Sequence, residues 1–363
     1  MKILIVHSGN NPDTAIHQVD LWRVTHPLKV LRKHVDWQID ERPTLMLHAE
    51  KYKKAKDFTE EELQKTVDNL ATYDIVLGSY TVYMHGMVFA LCKLVEEKYG
   101  TKFVLDMDDN LFAINRDNIG WWTKMSHEKT HELQTIVLKS DYIITTNHHL
   151  AGELKKRKVN HVEIVPNFIS QGYKQYHPNN GDKIKIGYFG GSSHFYDVHN
   201  TGFTDALEKI MHKYKNVIAE SAGMPIENYL PKGRYTYEAG ARGYKWETEI
   251  FPALNFDISV GPLVDNVFNL SKSDIKWQET ARMGAAFVGS NVRPYAETVR
   301  NGVDGLIVEN TEEAWYEALE KLVLDADYRK KLAKNAEERV NKDFALENNW
   351  QPLKEAIERI YNA

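Results

Sequence analysis

Short β-branched apolar runs alternate with longer amphipathic segments along this chain. The alternation occurs twice, and it limits the possible folds more than any other feature. The first half carries KILIVHS (2–8), YDIVLGS (73–79), KFVLDMD (102–108), DYIITT (141–146) and VEIVPN (162–167). Runs this short, apolar and bounded by polar or turn residues read as buried parallel strands. The stretches near 14–34, 60–70, 83–99 and 121–139 read as helices between them. ISQGYKQYHPNNGDK (169–183) has Gly, Pro and paired Asn but no apolar period, and reads as a linker. The alternation then resumes with KIKIGYFGG (183–191), NVIAESAG (216–223), RYTYEA (234–239), FDISVGPL (256–263), AAFVGS (285–290) and GLIVEN (305–310). Helices are expected at about 201–214, 272–283, 295–301 and 312–323, and throughout 326–361, where Pro352 should start or kink the last one. The expected architecture is α/β: two Rossmann-like, doubly wound domains over 1–170 and 183–342, a linker at 171–182, and a C-terminal helix in 343–363. Ligands of such sheets bind in the crevice at the strand C-termini, here shared between the two domains.

A chain of 363 residues is long enough for two cores. The net charge of −5 and the lack of a basic block give no bulk signal for nucleic acid. The single cysteine, Cys92, cannot form an intramolecular disulfide, which fits a reducing, cytoplasmic setting. It lies in MVFALCKLVEE, where a buried small hydrophobe is expected. The first apolar run is too short for a secretory segment, and no run approaches the length of a membrane span.

Four segments offer chemistry. In KIGYFGGSSHFYD (185–197) a strand runs into Gly190, Gly191, Ser192 and Ser193. Backbone N–H groups there, next to a helix start, suit a diphosphate; a tight strand-to-helix turn is the alternative. His194 and Asp197 follow, either as ligand contacts or as braces of the turn. In residues 261–297 a strand ends at Gly261-Pro262, a loop carries Asp265, Asn266, Phe268 and Asn269, and a helix carries Lys272, Lys276 and Glu279. Spacings of four and three put these charges on adjacent turns. Lysines near a helix start oppose its dipole unless an anion receives them. The same spacing also suits a solvated Lys/Glu face. In VLDMDDNLF (104–112), Asp106, Asp108 and Asp109 gather at a strand end. They could bind a metal, cap a helix, or place a carboxylate in the cleft. In VHSGNNPD (6–13) a strand ends near Gly9 and Asn10, in a loop that could face the cleft or simply turn the chain. His7, His127, His131, His148 and His149 lack a convincing ligand spacing.

FNLSKSDIKWQETARMGAAFVGSNVRPYAETVRNGVDGLIVENTEEAW resembles the C-terminal domain of GT-B fold glycosyltransferases of the family-four, or group-one, type. The carriers of the resemblance are Glu279 early in a helix, Ala281 to Gly284, the strand AFVGS, Pro294 to Glu297, and NGVDGLIV. It extends to KIGYFGGSSHFYD, VEIVPNFI and FVLDMDDNLF, so it covers nearly the whole chain. It is nearest to a subgroup seen in phage and bacterial genomes, with an Asp-Asp after a mid-domain strand and a Lys-Ser-x-x-Lys helix. The resemblance implies a GT-B fold whose last helix crosses back to the first domain. It further implies a hexosyltransferase that moves a sugar from a nucleotide-diphosphate donor, most simply a UDP-sugar, to an acceptor hydroxyl with retention. No bound cofactor and no metal are implied.

By the same resemblance Glu279 holds ribose hydroxyls, and Lys272 and Lys276 offer charge to the diphosphate together with Gly190, Gly191 and Ser192. His194, Asn269 and Ser271 complete the donor side. Lys272, Lys276 and Asp109 are the catalytic candidates. Gly9 and Asn10 meet the donor diphosphate or the acceptor from the first domain, and Asp108 or Asp109 faces the cleft to position the acceptor or the donor sugar. One departure stands out. Where many family members carry a second glutamate that contacts the sugar, this chain has Ser271, and Asp265 or Asn269 could substitute. The acceptor is open: a glycan, lipid, small molecule, protein or modified DNA base. A GT-B-like epimerase or phosphorylase, or a non-catalytic nucleotide-sugar binding protein, are the alternative functions.

Overall fold

The computed structural model describes residues 1–7, 18–42, 59–80, 86–114, 116–122, 125–172, 181–226, 230–241 and 243–363. Gly9, Asn10 and residues 173–180 of the expected linker lie outside the described residues.

Every apolar run named above carries a strand. The first sheet holds β1 (Lys2–Val6), β2 (Gln38–Arg42), β3 (Ile75–Ser79), β4 (Lys102–Met107), β5 (Tyr142–Thr145) and β6 (His161–Ile164), all parallel, in the order β2-β1-β3-β4-β5-β6. The second holds β7 (Ile184–Phe189), β8 (Val217–Ala222), β9 (Tyr235–Glu238), β10 (Ile258–Gly261), β11 (Ala286–Ser290) and β12 (Leu306–Val308), again all parallel, in the order β12-β11-β10-β7-β8-β9. Central strands such as IVLGS and AFVGS are buried throughout, because helices cover both faces of each sheet. The strand order reverses between β1 and β3 in one sheet and between β7 and β10 in the other. These are the switch points at which a doubly wound sheet opens a crevice.

β2 was not expected. Its sequence, QIDER, has no apolar run because it is an edge strand with only one neighbour and little burial. The terminal helical segment is also broken. A helix over Ala326–Arg339 continues through a π turn to Phe344, and Ala345 then leaves the helix to bridge Ile169. The last helix, Gln351–Asn362, has Pro352 in its first turn and buries Leu353, Ala356, Ile357 and Ile360 against Ile3, Ile5 and Leu28 of the first domain.

The domains also meet through Trp22, which packs among Phe189, Trp246 and Phe256 of the second domain. Nearby, His26 Nε2 lies 3.0 and 2.9 Å from the two carboxylate oxygens of Glu247.

Candidate active site between the domains

β7, at the switch point of the second sheet, ends in Phe189 and then Gly190. Here three loops stack backbone on backbone. A Cβ on Gly223 would lie 2.7 Å from the Gly190 carbonyl oxygen, and one on Gly240 would lie 2.7 Å from the Gly223 Cα. Gly223 also has φ +85°, which L side chains rarely adopt. At Gly190 itself a Cβ would come within 2.5 Å of Tyr188 Oη and 3.3 Å of Lys276 Nζ. Glycine at 190 is therefore what lets the Lys276 ammonium reach the strand end. There the ammonium donates to the Phe189 carbonyl and lies 4.3 and 4.6 Å from the ring centroids of Phe189 and Tyr188. The Tyr188 hydroxyl is buried with no hydrogen-bond partner among the described residues.

Lys276 and Glu279 stand on the helix Ile275–Met283. Their spacing fits a solvated face, but every residue from Lys276 to Met283 is buried. The polar side chains of this helix are bonded inward. Trp277 Nε1 donates to the Asp304 carbonyl at 3.0 Å, and Thr280 Oγ1 donates to Ser259 Oγ at 2.9 Å. Burial, with repulsion from Lys272, lowers the Lys276 ammonium to about 8, against the pull of Glu279 and Asp197. A buried cation with no carboxylate salt bridge among the described residues, beside a glycine-rich strand end, is well suited to receive an anion.

The residues after Gly190 form one short turn. Ser192–His194 is a 3₁₀ turn, and His194 Nδ1 lies 2.9 Å from Asp197 Oδ2. Burial and the nearby lysines hold the His194 pKa below its ordinary value despite Asp197, so the ring is neutral near pH 7. Asp197 Oδ1 accepts from the Val264 N–H at 3.0 Å and from Asn269 Nδ2 at 2.6 Å. Asp197 and Asn269, both buried, thus tie the loop after β7 to the loop after β10. Asn269 Nδ2 is committed to this tie and to the Val264 carbonyl, while Asp265 is exposed.

The first domain contributes the loop after β4. Asp106 is bound by both Nε and Nη2 of the buried Arg23, each at 2.9 Å. Its carboxylate is therefore occupied, and among the described residues no group of three His, Cys, Asp or Glu is placed to hold a metal ion. Asp108 Oδ1 is enclosed without a hydrogen-bond partner among the described residues. Burial, with repulsion from Asp109 and Asp106, raises the Asp108 carboxyl to about 7. Asp109 reaches across to the second domain, where Lys272 Nζ donates to its Oδ1 at 3.1 Å. Lys272 also stands 4.4 Å over the Phe268 ring.

Lys272, Lys276, Glu279, Gly190, Gly191, Ser192, His194, Asp108 and Asp109 therefore gather where the two sheets' C-terminal ends meet. Ser271 is placed differently from a ligand contact. It is fully buried, accepts from Asn110 Nδ2 at 3.1 Å and donates to the Val267 carbonyl at 3.0 Å. Sequence reasoning missed Arg23, Asn110, Asn147 and Asn167. A lone arginine in the apolar stretch LWRVT was an available signal for a buried ion pair.

The family model described as Glycosyl transferases group 1 matches residues 275–339, from the start of the buried helix to the end of the helix Ala326–Arg339. A sequence search of curated proteins found no match. Among solved structures, sucrose-phosphate synthase (tll1590) from Thermosynechococcus elongatus superposes with TM-score 0.64 at 13% identity, covering 100% of this chain and 99% of that one. Anabaena Alr3699/HepE in complex with UDP-glucose superposes with TM-score 0.64 at 13% identity, covering 99% and 100%. A glycosyltransferase from Rickettsia africae ESF-5 gives 0.60 at 14% identity, covering 99% and 98%. The fold of this chain is the two-domain GT-B fold that these structures share.

Proposed function

We propose that this protein is a glycosyltransferase that binds a nucleotide-diphosphate sugar in the cleft and transfers the sugar to an acceptor hydroxyl. The observation that carries the reading is the buried Lys276 ammonium at the Gly190 strand end, with Lys272 near enough to repel it and Glu279 buried three residues further along the same helix, Lys276 and Glu279 both inside the segment that matches group 1 glycosyl transferases. Anabaena HepE, which shares the fold, has been crystallised with UDP and with UDP-glucose, and a UDP-sugar is the donor we assign here.

In this reading the diphosphate lies against the N–H groups of Gly190, Gly191 and Ser192. Lys276 leaves the Phe189 carbonyl to meet it, and Lys272 turns to it from Asp109. Glu279 accepts from the ribose hydroxyls, His194 completes the donor side, and Asn269 acts there through its tie to Asp197, which holds His194. As the bond from the sugar C1 to the phosphate oxygen breaks, its electron pair leaves with the diphosphate. The two ammonium groups and the loop amides stabilise that charge where it develops. The acceptor hydroxyl attacks the electron-poor C1 from the same face, giving retention, and its proton passes to the departing diphosphate oxygen. Asp109 and Asp108 border the acceptor's side. Residues 1–170 form the acceptor domain, 171–182 the linker and 183–342 the donor domain. Residues 343–363 carry the returning helix. Cys92 is buried and unpaired, and no helix among the described residues is long and apolar enough to cross a membrane. We assign the protein to the cytoplasm.

The test is thermal unfolding in the presence of a panel of nucleotide sugars, followed by release of nucleoside diphosphate with a panel of acceptors. A ligand at a hundred times its Kd raises stability by about 2.7 kcal/mol. A UDP-sugar should raise the melting temperature of the wild type, and raise it less in Lys272→Ala or Lys276→Ala. A panel without a single stabilising nucleotide sugar would overturn the reading.

A further inference from the structure

Three neighbouring strands of the first sheet, β4, β5 and β6, are each followed within two or three residues by an asparagine: Asn110, Asn147 and Asn167. All three side chains are buried, and all three point their amide N–H groups at the same short segment of the other domain. Asn110 Nδ2 donates to Ser271 Oγ at 3.1 Å, Asn147 Nδ2 to the Ser271 carbonyl at 2.8 Å, and Asn167 Nδ2 to Ser273 Oγ at 2.7 Å. The residue between those two serines is Lys272. From its own domain, Arg293 Nη1 holds the Leu270 and Lys272 carbonyls at 2.6 and 3.1 Å. Asn167 is itself oriented, since its Oδ1 accepts from Arg23 Nη1 at 2.8 Å and its carbonyl from Gln278 Nε2 at 2.9 Å.

None of these asparagines reaches the Lys272 ammonium. What they fix is the backbone on which it is mounted. A flexible lysine stem reaches a diphosphate reproducibly only if its Cα is held, and a misplacement of about 1 Å can cost a hundredfold in rate. The second domain supplies one side of that hold and the first domain the other. The arrangement also accounts for Ser271. A hydroxyl there accepts one bond from Asn110 and donates another to Val267, within the tight approach of the two domains.

We propose that Asn110, Asn147 and Asn167 are positioning residues for Lys272, so that the cation is set in place by the first domain and loses its place when the domains part. This inference rests on Lys272 meeting the donor diphosphate. The probe is UDP, titrated calorimetrically into the whole protein, which requires no knowledge of the acceptor. Asn147→Ser keeps a side chain able to cap the helix His148–Lys156 but too short to reach Ser271. Ser273→Ala removes the acceptor of Asn167 with almost no change in volume, and serves as the second variant if the first does not fold. Each is made alone and on Lys272→Ala. The expected result is a roughly tenfold loss of UDP affinity in each single variant and less than a twofold further loss on Lys272→Ala, since residues acting through one group are not additive. Equal losses on both backgrounds, or no loss in the single variants, would overturn the positioning role while leaving the donor site intact. A wild type that does not bind UDP, or that binds it as well after Lys272→Ala, removes the premise instead, and the two failures are told apart by those two titrations alone.

Discussion

Lys272 and Asp109 face each other across the two domains, with Nζ 3.1 Å from Oδ1. The cation assigned to the donor is thus held, without a donor, by a carboxylate of the opposite domain. A diphosphate must compete with that carboxylate. Partly exposed ion pairs contribute about 0.2–1 kcal/mol, so Asp109→Asn should tighten UDP binding a few-fold while lowering the rate of sugar transfer. Calorimetry and a transfer assay report the two effects separately. Weaker UDP binding in the variant would show that Asp109 and UDP are not rivals for Lys272.

Lys276 makes UDP affinity depend on pH. Its pKa is lowered to about 8 by burial, so the free protein loses this charge as the pH rises through that value. A bound diphosphate would favour the charged form. Affinity should therefore be constant below about pH 7 and fall as pH rises past 8, up to tenfold per pH unit for one required proton. UDP titrations between pH 6 and 10 measure the slope, and Lys276→Ala should flatten it. A wild-type profile level to pH 10 would remove Lys276 from the phosphate site.

Asp108 should cost stability. Its pKa is raised from 3.8 to about 7, so between those values the folded protein holds a proton that the unfolded chain has released. Stability from this group is therefore lost as pH rises from about 4 to 7. Asp108→Asn carries no such loss and should melt a few degrees higher than the wild type at pH 8, on the order of 1–3 kcal/mol. The two should converge at pH 4. A variant less stable at pH 8 would mean that Asp108 has a favourable partner when charged.

The glycine stack predicts a sharp difference between neighbouring loops. Gly223→Ala meets the Gly190 carbonyl at 2.7 Å with φ +85°, and should destabilise by at least about 1–2 kcal/mol. Gly191→Ala has only the Ser193 hydroxyl at 4.0 Å to meet and should fold normally. Urea unfolding of both decides the matter. Equal stability would mean that the loops after β7 and β8 can separate freely.

Arg23→Met leaves the Asp106 carboxylate buried without its two guanidinium bonds, and breaking a buried pair of this kind costs about 3–5 kcal/mol. Replacing both partners, Arg23→Met with Asp106→Leu, should recover much of the loss in an unfolding titration. No recovery would place the value of Arg23 in its bonds to Val165 and Asn167 instead.

The strands were legible because buried parallel strands demand apolar residues on both faces, and β2 was not, because an edge strand makes no such demand. The break at Ala345 has no local signal: its cause is Ile169, far away in the sequence. At the site, residue types and spacing brought Lys272, Lys276 and Glu279 to notice. Their burial could not be read, since the spacing of charges on a helix is the same whether water or another domain covers it. The three asparagines hid for a related reason. An asparagine after a strand reads as a helix cap, as Asn147 indeed is, accepting from the Leu150 N–H. Only the apposition of two sheets shows where the other end of each amide goes.

The helix Gln351–Asn362 closes the hydrophobic core that β1 begins, and Lys102 Nζ ties it down by donating to the carbonyls of Ile360 and Tyr361 at 2.8 and 3.0 Å. During synthesis, then, the domain translated first is the one that must wait. Its sheet can pair as it emerges, and Val24, Leu28 and Leu31 can cover part of the face, but the rest stays uncovered until the ribosome has passed the entire second domain, which has all its own helices in hand by then. A nascent chain halted just before residue 351 would present a donor half with all its strands and helices made and an acceptor half still lacking a helix, with an apolar surface exposed to chaperones or to aggregation.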